Sequence, residues 1–280
     1  MPGVLAALDG GVDAWRAVQV AGCLPHAVDR LVPRLAEHLR RADLTGRRDE
    51  MSARAALRAM SALGDPSALP MIVETLLAAV RHEAWGITTS ALQALTVLGS
   101  PGAVAQPVLA AIRPLTAAGT DHFVREAAVP ALWSAGGDPR EVTPLLYDLL
   151  ESPIYYHRTT AAELLAEVGE RAALPRLREL ATSGGEWIEI AGAEAVWRLG
   201  GPPEAPLVLE RLLRAWAKNG ATANDVTDCL DRMGPAAAPA LPQLRAELAR
   251  PRRGGHMDTI ENDESLQRTC RKLVERLATV

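Results

Sequence analysis

Apolar side chains recur along the chain three or four residues apart, in short segments that end at glycines. Met60 and Leu63, for example, lie four residues and one residue before Gly64. Residues three apart share one face of a helix, so each segment predicts an amphipathic helix whose apolar stripe faces a core. No segment alternates apolar and polar residues with an excess of β-branched residues, which is the pattern of a half-buried strand.

The helical pattern repeats along the chain. Each copy consists of an Ala- and Leu-rich helix that ends in an apolar residue and a glycine, a short polar link, and a second helix. The glycines that end the first helices are 31 to 42 residues apart. A period of this length holds two helices and two turns, so the repeats predict stacked helical hairpins. These marker glycines are Gly22, Gly64, Gly99, Gly136, Gly169, Gly200 and Gly234.

Glycine and proline have separate roles in each copy. Glycine adopts the left-handed conformation without a Cβ penalty, so it is suited to end the first helix. Proline is tolerated in the first turn of a helix, where its missing N–H would have no partner, so it predicts the start of the second helix. The prolines in question are Pro70, Pro144, Pro175 and Pro206.

We therefore predict an all-α fold, an α-α superhelix (a solenoid) of about seven helical hairpins, in a single domain over residues 1–280. A polar insert at 42–50 and a charged loop at 250–264 interrupt the period. The predicted parts are an N-terminal hairpin at 1–41, regular repeats at 51–249 and a capping helix at 265–280. The capping helix is expected to bury one apolar stripe: Leu266, Cys270, Leu273 and Leu277.

The repeat resembles the HEAT repeat, particularly the short variant named after the phycobilisome lyases. In that variant Ala-x-x-Ala-Leu-x-x-Leu-Gly-Asp closes the first helix, and Ala56, Ala59-Met60 and Leu63-Gly64-Asp65 follow this string. The resemblance covers about 14–248 and implies the solenoid fold. It leaves the function open, because folds of this kind serve scaffolds, adaptors and a few enzymes.

The net charge and the absence of sorting signals disfavour two kinds of partner, nucleic acids and membranes. The net charge is −4 and the pI is about 5.9, which disfavours binding to a phosphate backbone. The N-terminus lacks the basic and apolar regions of a signal peptide, and no apolar run is long enough to span a membrane. We expect a cytoplasmic protein that makes no contact with membranes.

The sequence holds none of the motifs that would indicate an enzyme. It contains no nucleophile elbow and no phosphate-binding glycine loop, and Cys23, Cys229 and Cys270 lie in Ala- and Leu-rich stretches that favour a core role. Among HEAT-like enzymes, the deoxyhypusine hydroxylases hold iron on several His-Glu pairs, whereas this chain has one, His82-Glu83. We expect no metal, no cofactor and no catalysis.

A nucleic-acid function is the main alternative. The alkylpurine DNA glycosylases are HEAT-like and use a basic concave face with Trp and Asp near the lesion. This chain has six Trp residues, but Trp133 and Trp197 follow the repeat register, three residues before a marker glycine. The densest Arg group, at residues 29–58, is interleaved with acids. A third possibility, a lyase partner that attaches bilins, rests on the name of the repeat alone.

An aromatic series precedes the Ala-rich part of successive first helices. Stacking of equivalent positions would arrange these rings as a ladder along one edge of the solenoid. The interpretation we favour is that each ring covers the end of a neighbouring hairpin, as a hydrophobic staple does. The series comprises Trp85, Phe123, Tyr156 and Trp187.

An acidic series follows the helix-opening prolines by four residues: Glu74, Asp148, Glu179 and Glu210. The residue two after each proline is aliphatic and expected in the core, so the acids lie on the other side of the helix. The second helices of HEAT solenoids line the concave surface, so the resemblance implies a groove of carboxylates, but ordinary solvated helix surface would look the same. The candidate partner-binding residues are Glu74, Tyr147, Asp148, Arg178, Glu179 and Glu210.

These observations favour a non-enzymatic scaffold or adaptor that binds a protein partner along the concave face. An acidic groove would prefer a basic or mixed-charge peptide over nucleic acid. The partner itself is not identifiable from the sequence.

Overall fold

The computed structural model describes residues 2–10, 14–44, 46–100, 106–250 and 259–278. Throughout these residues the regular structure is helical, with no strand. The chain divides into two compact units, Met1–Leu145 and Leu146–Val280. The prediction of one solenoid over 1–280 stays a prediction.

The first unit contains eight α-helices and the beginning of a ninth in its described residues. They are α1 (Pro2–Gly10), α2 (Ala14–Ala21), α3 (Val28–Arg41), α4 (Arg47–Leu63), α5 (Leu69–Arg81), α6 (Trp85–Leu98), α7 (Gln106–Ile112), α8 (His122–Ser134) and α9 (Pro139–Leu150). Helix α9 crosses the boundary between the units.

The second unit continues the same alternation of long first helices and second helices that follow a short 3-10 turn. Its helices are α10 (Tyr155–Val168), α11 (Leu174–Leu180), α12 (Glu186–Gly200), α13 (Ala205–Lys218), α14 (Ala223–Met233), α15 (Leu241–Leu248) and α16 (Ile260–Leu277).

Each unit has two layers of helices. First helices pack on first helices, α2 on α4, α4 on α6 and α6 on α8 in the first unit, and α10 on α12 and α12 on α14 in the second. The second helices form the other layer and pack between the first helices, as α5 does on α6 and α11 on α12. Seven helix pairs, α2–α3 to α14–α15, thus follow one another within the described residues. The predicted all-α hairpin architecture is confirmed.

Four of the seven marker glycines follow a first helix with a positive φ angle, as predicted, and Gly22, Gly99 and Gly200 do not. Gly64, Gly136, Gly169 and Gly234 have φ angles between 60° and 94°, the region that glycine occupies without strain. Gly99 instead has a φ of −68°. A side chain has no room there, because a Cβ would lie 2.5 Å from the Leu95 carbonyl oxygen. Helix α12 runs through Gly200, so Gly201 takes the positive φ.

Three of the four predicted helix-opening prolines are placed correctly. Pro70, Pro175 and Pro206 each stand in the first turn of a second helix. Pro144 was misplaced, because α9 begins at Pro139 and Pro144 lies inside the helix. The Asp138 side chain accepts a hydrogen bond from the Arg140 amide at 2.8 Å, which starts the helix a turn earlier than Pro144 would.

The polar insert is shorter than predicted, since α4 already begins at Arg47. The last helix is longer than predicted, since α16 begins at Ile260, where the Thr259 hydroxyl accepts a hydrogen bond from the Asn262 amide. Residues 251–258 of the predicted charged loop lie outside the described residues.

Helix α16 packs on α14 and α15 and buries the predicted stripe from Leu266 to Leu277. Asp231 of α14 also binds α16, through two ion pairs. Its carboxylate contacts Lys272 Nζ at 2.8 Å and Arg276 Nη1 at 2.6 Å. The Lys272 hydrogen bond, followed by the charge of Arg276, lowers the pKa of Asp231. The capping role predicted for the last helix is therefore supported by apolar packing and by an ion-pair cluster.

Among the described helices, none combines the length and the apolar character that crossing a membrane requires.

Candidate functional site

A cavity of about 460 Å³ opens on the first helices of the second unit. Helices α10, α12 and α14 each contribute to its lining. Its floor is apolar and consists of Ile190 and Ala191, which are 4% and 7% exposed. Around this floor stand an aromatic wall and an acidic wall. The lining residues are Tyr155, Tyr156, Thr159, Glu163, Trp187, Ile190, Ala191, Glu194 and Asp225.

Close helix packing sets the position of the floor. Gly192 of α12 stands where the other first helices carry alanine, such as Ala91 and Ala161. A Cβ at Gly192 would lie 2.6 Å from the backbone nitrogen of Ala181, at the end of α11. The missing Cβ lets α12 approach that backbone, which places Ile190 and Ala191 at the bottom of the cavity.

The aromatic wall lies at the first turns of two successive first helices. Tyr155 and Tyr156 begin α10, with ring centroids 3.8 Å apart, and Trp187 is the second residue of α12. These three rings are 40%, 55% and 43% exposed. The staple interpretation accounts for the covered part of each ring, while the exposed part of these rings faces the cavity or solvent. Large rings with this much open surface can contact a ligand.

The acidic wall contains one carboxylate from each of the three helices. Glu163 and Glu194 occupy equivalent positions, six residues before the marker glycines of α10 and α12, whereas Asp225 lies in the first turn of α14. Glu163 and Glu194 also follow Tyr156 and Trp187 by seven residues, which is two helical turns and therefore the same face of the helix. Each of these two helices thus brings an aromatic ring and a carboxylate to one cavity.

The carboxylates create a negative potential at the cavity. Burial, followed by the charge of Glu194, raises the pKa of Glu163. Burial, followed by the charges of Asp228 and Glu194, raises the pKa of Asp225. The Cys229 thiol has its pKa raised to about 12, mainly by burial and then by Glu194. Loss of hydration is thus the larger cause of the raised pKa values, and repulsion between the neighbouring acids adds to it.

Two arginines supply part of the compensation. Arg232 of α14 contacts Glu194 with its Nη2 atom at 2.8 Å from the carboxylate. Arg198 of α12 lowers the pKa of Glu163 by its charge but directs its Nη1 atom to the Glu163 backbone carbonyl, at 3.5 Å. Within the described residues the carboxylates of Glu163 and Asp225 form no hydrogen bond or ion pair. Both carboxylates can therefore accept hydrogen bonds from a ligand.

The three carboxylates do not form a metal site. No group of three or more His, Cys, Asp or Glu side chains in the described part of the chain has the geometry to hold a metal ion. The Thr159 hydroxyl already donates a hydrogen bond within the protein, to the Tyr156 carbonyl oxygen at 3.0 Å. A cavity with separated carboxylates, aromatic faces and an apolar floor is suited to an organic cation with an apolar stem.

The acidic series predicted on the second helices lies elsewhere. Glu74 belongs to the first unit, and Asp148, Glu179 and Glu210 to the second. All four side chains are exposed, and the aliphatic residues two after each proline (Ile72, Leu146, Leu177 and Val208) are fully buried, as expected. None of the four acids lines the cavity. Their role in binding a partner stays a prediction.

Of the two further candidates near that series, Arg178 has an internal partner. Arg178 is exposed and forms a two-pronged ion pair with Glu204, and the Arg178 hydrogen bond lowers the pKa of that carboxylate. Tyr147 is partly buried, and burial, followed by the charge of Glu170, raises the pKa of its hydroxyl. Glu210 contacts its neighbour Arg211 at 3.3 Å.

Four of the eight arginines between residues 29 and 58 form ion pairs with acids in the described structure. Arg34 binds Asp9 at 2.8 Å, Arg41 binds Glu37 at 2.8 Å, and Arg54 lies 3.8 Å from Glu50. Arg40 also binds Glu37. Pairing of this kind lowers the positive potential that a phosphate backbone would need. It favours the solvated helix surface over a nucleic-acid face.

The core role predicted for the cysteines holds for two of them. Cys229 and Cys270 are fully buried. For Cys23 the prediction was wrong, because this residue is exposed in the turn after α2, where the chain has already left the helix.

Two of the six aromatic and acidic residues of this cavity could be identified from the sequence. The sequence analysis identified Tyr156 and Trp187 in the aromatic series, but it missed Tyr155 and all three carboxylates. The register was taken from the prolines of the second helices, whereas two of these acids repeat with the aromatic residues of the first helices. A search for residues seven after each aromatic would have found Glu163 and Glu194, but not Asp225, which occupies a different position in its helix.

Residues 142–224, which include most of the cavity, match the family model for HEAT repeats. This part of the chain carries HEAT repeats. No curated protein sequence matches it. Among solved structures, a chain in the complex of CpcE and CpcF of phycocyanin lyase from Nostoc sp. PCC7120 superimposes with a TM-score of 0.52 at 18% identity. The match covers 93% of this chain and 88% of that one. At this identity the similarity concerns the fold, and it confirms the HEAT-like helical architecture.

Proposed function

We propose that this HEAT-repeat protein is a non-enzymatic scaffold or adaptor that binds a partner protein by accepting a cationic side chain of the partner in the α10–α12–α14 cavity. The observation that carries the proposal is the pairing of open aromatic rings with Glu163 and Asp225, two carboxylates without an internal partner. The solved CpcE–CpcF assembly is a complex of two proteins, which is consistent with a repeat of this type that works against a protein surface.

Charge complementarity selects a basic segment over a nucleic acid. The cavity holds three carboxylates against the nearby Arg198 and Arg232, and the whole chain has a net charge of −4. Such a field attracts cations and repels phosphate groups. The apolar floor and the rings would cover the aliphatic stem of a Lys or Arg side chain, whose charged end reaches the carboxylates.

The test is the affinity for a short fluorescent peptide of Gly and Ser with several Lys and Arg residues, measured by anisotropy. Substituting Glu163→Gln together with Asp225→Asn removes both free carboxylates without breaking an ion pair. We expect the dissociation constant to rise about 5- to 30-fold, since two partly exposed charge contacts contribute roughly 1 to 2 kcal/mol.

The matched control is Glu179→Gln together with Glu210→Gln, which removes the same amount of charge from the second helices. We expect it to leave the affinity within about twofold of the wild type, as a surface charge far from the ligand acts only through screened attraction. Equal losses in the two double variants would show that binding follows net charge alone, and a loss in the control only would move the site to the acidic series.

A further inference from the structure

The shape of the cavity discriminates between the two basic side chains. Its carboxylates come from three different helices, while its rings come from the first turns of α10 and α12. A ligand that uses both walls must present a flat face to the rings and several hydrogen-bond donors in directions away from that face.

We infer that the cation taken up by the cavity is the guanidinium group of an arginine, in preference to a lysine ammonium; this rests on the proposed function. Guanidinium is planar and carries five N–H donors in its plane, so its face can stack on Trp187 while its edges reach Glu163 and Asp225. An ammonium group has three donors around a point charge and no face to stack.

Desolvation points in the same direction. The floor of Ile190 and Ala191 is buried and offers no polar atom of a side chain to a ligand. Guanidinium is more weakly hydrated than ammonium, so transfer to a site with an apolar floor costs it less.

The protein's own arginines already use this chemistry at the edge of the site. Arg232 reaches Glu194 across the α12–α14 contact at 2.8 Å. In the described residues neither Glu163 nor Asp225 has an equivalent partner, and both have raised pKa values. An incoming arginine supplies the charge that these two carboxylates lack.

Three peptides of equal length test the inference, with arginine, lysine or citrulline at the same positions. Arginine and lysine have the same charge, whereas citrulline keeps the planar group and loses the charge. We expect the arginine peptide to bind about tenfold more tightly than the lysine peptide, because the stacked and bidentate contacts are lost with lysine. The citrulline peptide should bind more weakly than either.

The variant Trp187→Leu separates stacking from charge. It keeps an apolar side chain at an exposed position, and circular dichroism will show whether the helices are intact. We expect the preference for arginine over lysine to fall from about tenfold to about two- or threefold, while the lysine affinity changes little.

Each alternative result has a definite meaning. Equal affinities of the arginine and lysine peptides would overturn the inference and leave the proposed cation site in place. Citrulline binding as tight as arginine binding, or no binding by any of the three peptides, would overturn the proposed function. An arginine preference that persists unchanged in Trp187→Leu would also refute the stacking geometry, and with it the inference.

Discussion

At the scale of single residues, the fold disfavours the ionised forms of Glu163 and Asp225. Burial and neighbouring acids raise the pKa of each carboxyl group. A group whose pKa is higher in the folded chain than in the unfolded chain binds more protons when folded, so its contribution to stability falls as the pH rises through its pKa. At neutral pH both residues therefore oppose folding, and the cost is relieved as the pH falls toward their ordinary values of 4.5 and 3.8.

This sign gives a prediction for the free energy of unfolding. The variant Glu163→Gln with Asp225→Asn should be more stable than the wild type at pH 7, by about 0.5 kcal/mol because solvent screens partly exposed groups. The advantage should shrink as the pH is lowered, because the raised pKa values let the folded wild type take up protons at a higher pH than the unfolded chain does. Urea unfolding at pH 7 and at a lower pH measures it.

The lowered pKa of Asp231, on α14 beside the cap helix, affects wild type and variant alike and cancels in the difference. A variant that is less stable than the wild type at pH 7 would mean that the carboxylates have a stabilising partner, and the site would then not be free for a ligand. The same unfolding measurement, made without ligand, shows whether the variant is folded. If it is as stable as predicted, weaker peptide binding by this variant cannot be attributed to unfolding.

At the scale of elements, glycine determines where the first helices end. Gly169 follows α10 with a φ of +81°, and its absent Cβ would meet no atom within 4 Å. A substitution there therefore tests backbone conformation alone, without a steric clash. Gly220 provides the comparison, since its Cβ would also meet nothing and its φ is not in the positive region.

We expect Gly169→Ala to lower the free energy of unfolding by about 1 kcal/mol, the cost of a left-handed residue with a Cβ. Gly220→Ala should leave it unchanged or slightly raised, because alanine loses less chain entropy on folding. Thermal or urea unfolding of the two variants gives the comparison. Equal effects would indicate that the αL cap of α10 does not contribute to stability as the backbone geometry requires.

The helix boundaries also show which parts of the fold could be predicted from the sequence. Gly169 and Pro175 define the link between α10 and α11 correctly, because helix termination depends on local backbone preferences that are visible in the sequence. Pro144 gave a wrong prediction, because the Asp138 side chain caps α9 and the helix begins five residues earlier, at Pro139. Side-chain capping and close approaches such as that of Gly192 to Ala181 depend on three-dimensional contacts, so residue types alone do not disclose them.

At the scale of the whole molecule, the repeats share their backbone but not their chemistry. Trp85 and Phe123 of the first unit begin α6 and α8 much as Trp187 begins α12, and they are similarly open, at 42% and 61% exposed. Seven residues further, however, the first unit carries Leu92 and Pro130, both buried, in place of the carboxylates. The aromatic series alone therefore predicts helix starts, and only its combination with acids marks the cavity.

The function could be predicted only in outline for the same reason. A repeat period and a negative charge favour a protein scaffold, yet many functions share this fold. The location of the site depends on which helix face meets which neighbour, and that information appears only when α10, α12 and α14 are placed side by side. The acids of the second helices had the clearer sequence register, but the cavity lies on the first helices.

The most direct test of the cation site is an NMR titration of the indole N–H signals with the arginine peptide. Trp187 and Trp85 serve as an internal pair, similarly exposed and similarly placed at helix starts, of which Trp187 alone lines the cavity. Assignment by Trp187→Phe and Trp85→Phe identifies the two signals. We predict that the Trp187 signal shifts in a saturable way while the Trp85 signal stays in place. Equal shifts of both signals, or a shift of Trp85 alone, would contradict the account.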